Sequence, residues 1–86
     1  MSEMNNMITV GNKMDVLIVE DESALAHLHA ELVAQFPDLR LIGIAGTLAE
    51  AEALTERHRP QLVLLDNYLP DGQGISLISS PVFIRA

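Results

Sequence analysis

Cysteine and tryptophan are both missing from this chain of 86 residues. Without cysteine there is no disulfide framework and no thiolate zinc site. Basic residues are scarce, with five Lys and Arg against twelve Asp and Glu, for a net charge of −7. That balance argues against a nucleic-acid partner and against an anionic membrane surface, because phosphate binding needs Lys and Arg. The aromatic side chains are Phe36, Tyr68 and Phe83, too few for a base-stacking platform. No apolar run reaches the roughly 18 residues of a membrane span. The opening residues, 1–14, lack the basic start and long apolar stretch of a secretory signal. They are expected to be an extension ahead of the folded part, and the protein is expected to be cytoplasmic.

What is present suits a single small domain, with 49% hydrophobic residues. In residues 15–19 (DVLIV), Asp15 is followed by a continuous apolar run rich in branched side chains. Such a run is buried on both faces, which fits a parallel strand. From Ser23 to Phe36, Leu25, Leu28, Leu32, Val33 and Phe36 recur at helical spacing and predict one inward helix face. Pro37 stops that helix. Residues 39–45 predict a second strand. Thr47 and Glu50 then form a capping box for a helix running to about Arg57, with Leu48, Ala51 and Leu54 facing inward. Residues 62–65 (LVLL) predict a third buried strand, and Pro70, Asp71, Gly72 and Gly74 a turn-rich loop. Ile75, Leu77 and Ile78 would open a third helix. The order β-α-β-α-β-(α) predicts an α/β fold with a parallel sheet and right-handed crossovers. The last segment, 81–86, is a tail of uncertain origin that could pair as an extra strand.

In open α/β sheets, sites form beyond the carboxyl ends of the strands. Here Glu20, Asp21 and Glu22 follow the first strand, and Asp66 follows the third. If those strands are neighbours, about 4.8 Å apart, their terminal carboxylates converge. Clustered carboxylates repel unless a cation neutralises them, and an oxygen-only donor set suits Mg²⁺. A carboxylate beside Mg²⁺ can act as a nucleophile toward phosphorus. The bland alternative is that an acidic run is a solvated helix start and that Asp66 merely opens a turn. Asp66 directly after four apolar residues weighs against it.

Residues 15–22 (DVLIVEDE) and 62–74 (LVLLDNYLPDGQG) resemble the receiver domain of two-component response regulators. The wording of the second motif is most like the citrate- and C4-dicarboxylate-responsive regulators. The resemblance covers about residues 14–80, leaving 1–13 as extension. It implies a flavodoxin-like fold in which Asp66 accepts a phosphoryl group from a sensor histidine kinase. It further implies that Glu20, Asp21, Asp66 and the backbone carbonyl of Tyr68 hold Mg²⁺, and that Pro70 and Gly72 shape the pocket rim. Glu20 stands where the family often has Asp. The protein would be a signalling phospho-acceptor rather than a turnover enzyme.

A full receiver has five βα units, roughly 100–125 residues. Residues 14–86 fall short of that, so an incomplete, truncated receiver is expected. The family's fourth strand ends in Ser or Thr and its fifth in Lys, whereas the one lysine here is Lys13. The alternative function is therefore a remnant unable to switch, serving as an interaction or oligomerisation module. Loss of the last strands would expose the third as an edge, which predicts a homodimer or higher oligomer. Histidines 27, 29 and 58 are expected to be surface or helix-end residues rather than metal ligands, with His27 meeting Glu31 one turn on.

Overall fold

The computed structural model describes residues 13–66 and 68–74. Strand β1 (Met14–Val19) lies at the centre of a parallel sheet in the order β2-β1-β3, with β2 at Leu39–Ala45 and β3 at Leu62–Leu65. Val16, Leu17, Ile18 and Val19 are completely buried, as the continuous apolar run requires. Alternate side chains point to opposite faces of a strand. Leu17 and Val19 accordingly pack with Ala45, Ala51 and Leu69, while Val16 and Ile18 pack with Val33. Each of these four buried side chains contributes about 1.5–3 kcal/mol of apolar transfer energy.

Two helices cover the two faces: α1 (Ser23–Ala34) and α2 (Leu48–His58). The register between β1 and β2 slips once, from Val16↔Leu41 to Leu17↔Gly43. The slip leaves Ile42 as the extra residue of a bulge. Ile42 and Gly43 both turn toward α2, where a Cβ on Gly43 would stand 3.2 Å from Leu54.

Three local expectations need correction. The face of α1 that packs on the sheet is Ala26, Ala30 and Val33, whereas Leu25, Leu28, Leu32 and Phe36 are 41–56% exposed. The helix is thus turned by about one residue, roughly 100°, from the face that bulky side chains alone suggest. Small residues let its backbone approach the sheet closely. The helix also stops at Ala34, two residues short of Phe36. Strand β3 is half-buried along its whole length rather than fully buried. It bonds β1 on one side and is an edge among the described residues.

The capping box of α2 is offset. Thr47 Oγ1 accepts from the N–H of Glu50 at 3.1 Å, as expected, but Glu50 Oε1 accepts from Gly46 at 2.7 Å, one residue earlier than the usual partner. Thr55, absent from the expected core, is buried on α2 with no partner for its hydroxyl. At the far end of α2, Arg59 adopts φ 50° and its N–H donates to the carbonyl of Thr55.

Pro70, Asp71 and Gly72, expected in a loop, belong to a small antiparallel hairpin of β4 (Tyr68–Leu69) and β5 (Gly72–Gln73), which Gly74 follows. The expected third helix at Ile75, Leu77 and Ile78 and the tail 81–86 lie outside the described residues. Among the described residues, no helix is long and apolar enough to cross a membrane.

Candidate functional site

Because β1 and β3 are adjacent and parallel, their carboxyl ends reach the same sheet edge. The backbone ladder continues one residue past each strand. Asp66 donates its N–H to the carbonyl of Val19 at 2.9 Å, and Glu20 donates to Ala45 at 2.8 Å. These bonds pin the two acidic residues to neighbouring strands. One carboxylate oxygen from each of Glu20, Asp21 and Asp66 then lies within 4.8 Å of the others. Glu20 is buried, Asp66 half-buried and Asp21 exposed, so the cluster runs from the sheet edge out to solvent.

Glu20 is held inward by the N–H of Glu22, which donates to its Oε2 at 3.2 Å. Tyr68 donates its N–H to Asp66 Oδ1 at 3.3 Å, a long bond that leaves the carboxylate largely free. The ion pairs among the described residues lie elsewhere, at Asp15–Arg40 (2.8 Å) and His27–Glu31 (3.6 Å), the second as expected from the sequence. None involves the three clustered carboxylates. Two such charges 4–5 Å apart repel by about 1 kcal/mol in water and about 3–4 kcal/mol at an effective protein dielectric near 20. A set of oxygen donors gathered without a cationic side chain suits a hard divalent cation.

The other residues singled out by sequence stand on the hairpin beside the cluster. The Tyr68 backbone is paired with Gln73, and its side chain is exposed. Pro70 is exposed at the turn. Gly72 takes φ 150°, a conformation rarely open to other residues, and a Cβ there would come 2.8 Å from Leu48 Cδ1. An open groove of about 440 Å³ runs from Asp66 and Glu20 along Val19 and Leu64 toward His29 and Leu32 of α1.

Two residues of the site were not singled out for the parts they play. Asp71 Oδ1 accepts the N–H of Leu48 at 2.7 Å and Oδ2 that of Ala49 at 3.1 Å, closing the first turn of α2. Those bonds, the Leu48 one foremost, hold the Asp71 carboxyl below the usual carboxylate range, against a smaller opposing effect of desolvation. Gly74 lies against the backbone of Asp66, where a Cβ would overlap the Asp66 carbonyl oxygen. In the sequence Gly74 is marked only as part of a turn-rich loop.

This geometry can be set beside known proteins. No protein-family model matches the chain. It is 52% identical over 65 residues to the transcriptional regulatory protein DpiA of Escherichia coli K12, covering 76% of this chain and 29% of DpiA. It is 46% identical over 71 residues to the transcriptional regulatory protein CitB of Klebsiella pneumoniae, covering 83% of this chain and 30% of CitB. Among solved structures it resembles the signal receiver domain of a protein described as a Luxo repressor from Vibrio parahaemolyticus. The TM-score is 0.70 at 34% identity, over 78% of this chain and 50% of that one. The chain belongs to the receiver family of two-component response regulators. The described sheet and helices are the β2-β1-β3 part of the flavodoxin-like receiver fold, incomplete relative to the whole. The chain spans less than a third of the length of the curated relatives it matches.

Proposed function

We propose that the chain is a phospho-acceptor receiver in which Asp66 takes a phosphoryl group from a sensor histidine kinase. The observation that carries this reading is the convergence of Glu20, Asp21 and Asp66 at the ends of adjacent parallel strands. An Asp66 carboxylate oxygen attacks the phosphorus of the donor. The bond from phosphorus to the kinase imidazole nitrogen breaks, and the products are an acyl phosphate on Asp66 and a free histidine. With a small donor such as acetyl phosphate, acetate leaves instead. The three carboxylates and the backbone carbonyl of Tyr68 would hold Mg²⁺, which offsets charge on the transferred phosphoryl group when bound. Pro70 and Gly72 form the rim of the pocket.

In this reading the receiver portion is residues 14–80, with 1–13 as extension and 81–86 as tail, in a cytoplasmic setting. The chain contacts neither nucleic acid nor membrane, consistent with its net charge of −7. The edge that β3 presents among the described residues and the exposed leucines of α1 support self-association into a dimer or higher oligomer. A concentration-independent monomer in light scattering would exclude that part. A second reading keeps the fold and acidic pocket as an interaction module, supported by the exposed leucines of α1 and by the edge that β3 presents among the described residues.

Incubation with Mg²⁺ and acetyl phosphate, followed by intact mass measurement, tests the first reading. One added phosphoryl group is expected on the wild type and none on Asp66→Asn. A folded protein that gains no phosphoryl group would support the interaction module instead.

A further inference from the structure

We propose that Asp71 is a positioning residue of the acceptor pocket, fastening the β4–β5 hairpin to the first turn of α2 and so fixing the backbone around Asp66. The proposal rests on the phospho-acceptor reading.

The first N–H groups of any helix lack partners within it. In α2 those groups are shared between two devices. The local one is Thr47, whose Oγ1 takes the N–H of Glu50, while the Glu50 carboxylate turns back to the N–H of Gly46 just ahead of the helix. The distant one is Asp71, whose two carboxylate oxygens take the N–H groups of Leu48 and Ala49 from 23 and 22 residues away. The helix could have been capped locally throughout. Instead, its first turn is completed by the segment that follows the acceptor. A carboxylate there also meets the positive end of the helix dipole.

The hairpin is held at both ends. On the α2 side, Leu69 is buried among Leu17, Val19, Ala45 and Ala51, and Gly72 lies against Leu48, where a Cβ would come 2.8 Å from Leu48 Cδ1. On the acceptor side, Tyr68 donates to Asp66 Oδ1 and Gly74 rests on the Asp66 carbonyl. Two paired residues per strand make a ladder too short to persist alone. Asp71 supplies the hydrogen bonds that tie this short hairpin to a rigid helix. Without them, the backbone of Tyr68 and the Asp66 carboxylate lose their fixed relation. Asp71 touches no reacting atom; its effect passes through the backbone.

The test compares Asp71→Ala, Asp71→Asn and Thr47→Ala in the full chain. Tyr68 is the sole tyrosine and there is no tryptophan, so intrinsic fluorescence reports from within two residues of Asp66. Mg²⁺ titrations followed by this signal should show Asp71→Ala weakening binding on the order of ten-fold. Asp71→Asn, which keeps one acceptor oxygen, should recover most of it. Thr47→Ala weakens the same helix end without touching the hairpin, and should lower thermal stability while leaving Mg²⁺ affinity unchanged. Amide hydrogen exchange at residues 68–73 should quicken in Asp71→Ala and not in Thr47→Ala. Wild-type Mg²⁺ affinity in Asp71→Ala, or equal losses in Thr47→Ala, overturns the proposal. A wild type that binds no Mg²⁺ overturns the phospho-acceptor reading instead. The exchange data then still decide whether Asp71 fastens the hairpin, and an unchanged rate in Asp71→Ala rejects that too.

Discussion

Replacing Gly74 by alanine should disable the acceptor with little loss of fold. The added Cβ would overlap the Asp66 carbonyl oxygen and stand 3.0 Å from the Asp66 carbonyl carbon and 3.1 Å from Leu65 Cδ1. The Leu65 methyl can rotate away, whereas the Asp66 carbonyl, just past β3, can shift only by straining the bond from its own N–H to Val19. Relief therefore requires the Asp66 carbonyl and Gly74 to part by about 1 Å or more, since non-bonded heavy atoms pack comfortably at about 3.5–4.0 Å. Overpacking of this kind costs about 1–3 kcal/mol of stability. A displacement near 1 Å at a reacting group can cost on the order of 10²-fold in rate. The rate of phosphoryl uptake from acetyl phosphate, read by intact mass at saturating Mg²⁺, should fall by that order in Gly74→Ala. Circular dichroism should retain the helical signal, and the urea midpoint should drop modestly. A variant that is phosphorylated at the wild-type rate would refute the idea that Gly74 sets the position of Asp66.

Other expectations concern the rest of the fold. Thr55→Val should raise stability by about 1 kcal/mol in urea denaturation, because it removes a buried hydroxyl without a partner. A loss of that size would show that the hydroxyl is hydrogen-bonded in solution. Arg59→Gly should stabilise by a few tenths to about 1 kcal/mol, since Arg59 closes α2 at φ 50°, where glycine carries no Cβ penalty; a lower thermal midpoint would contradict this. The Asp71 carboxyl is held below the usual range in the folded protein, so its contribution is present at neutral pH and disappears as pH falls through that lowered value. The difference in thermal midpoint between wild type and Asp71→Asn should therefore shrink on acidification, and a difference that grows would reverse the sign.

Much of this architecture was legible in the sequence, for physical reasons. The run at Val16–Val19 reads as a strand covered on both sides, and the acidic residues immediately after it and after Leu65 converge because β1 and β3 are adjacent and parallel, an adjacency on which the sequence reading is conditional. Thr47 announced its helix through a bond only three residues long. The face of α1 departs from the expectation because side-chain bulk is a poor guide to burial there. In the structure, Ala26 and Ala30 mark the packed side through their small size. Asp71 was read as a turn residue because its partners lie more than twenty positions upstream, beyond any local pattern. The bulge at Ile42 likewise depends on register with a neighbouring strand.

Asp66 is proposed as the nucleophile of an acidic pocket built by β1 and β3. Borohydride reduction of the acetyl-phosphate-treated protein, followed by peptide mass spectrometry, tests it at the level of the residue. An acyl phosphate on Asp66 is reduced at that side chain, so the modification should map to position 66 and depend on Mg²⁺. Modification at Asp21, Asp71 or another carboxylate, with Asp66 untouched, would contradict the account.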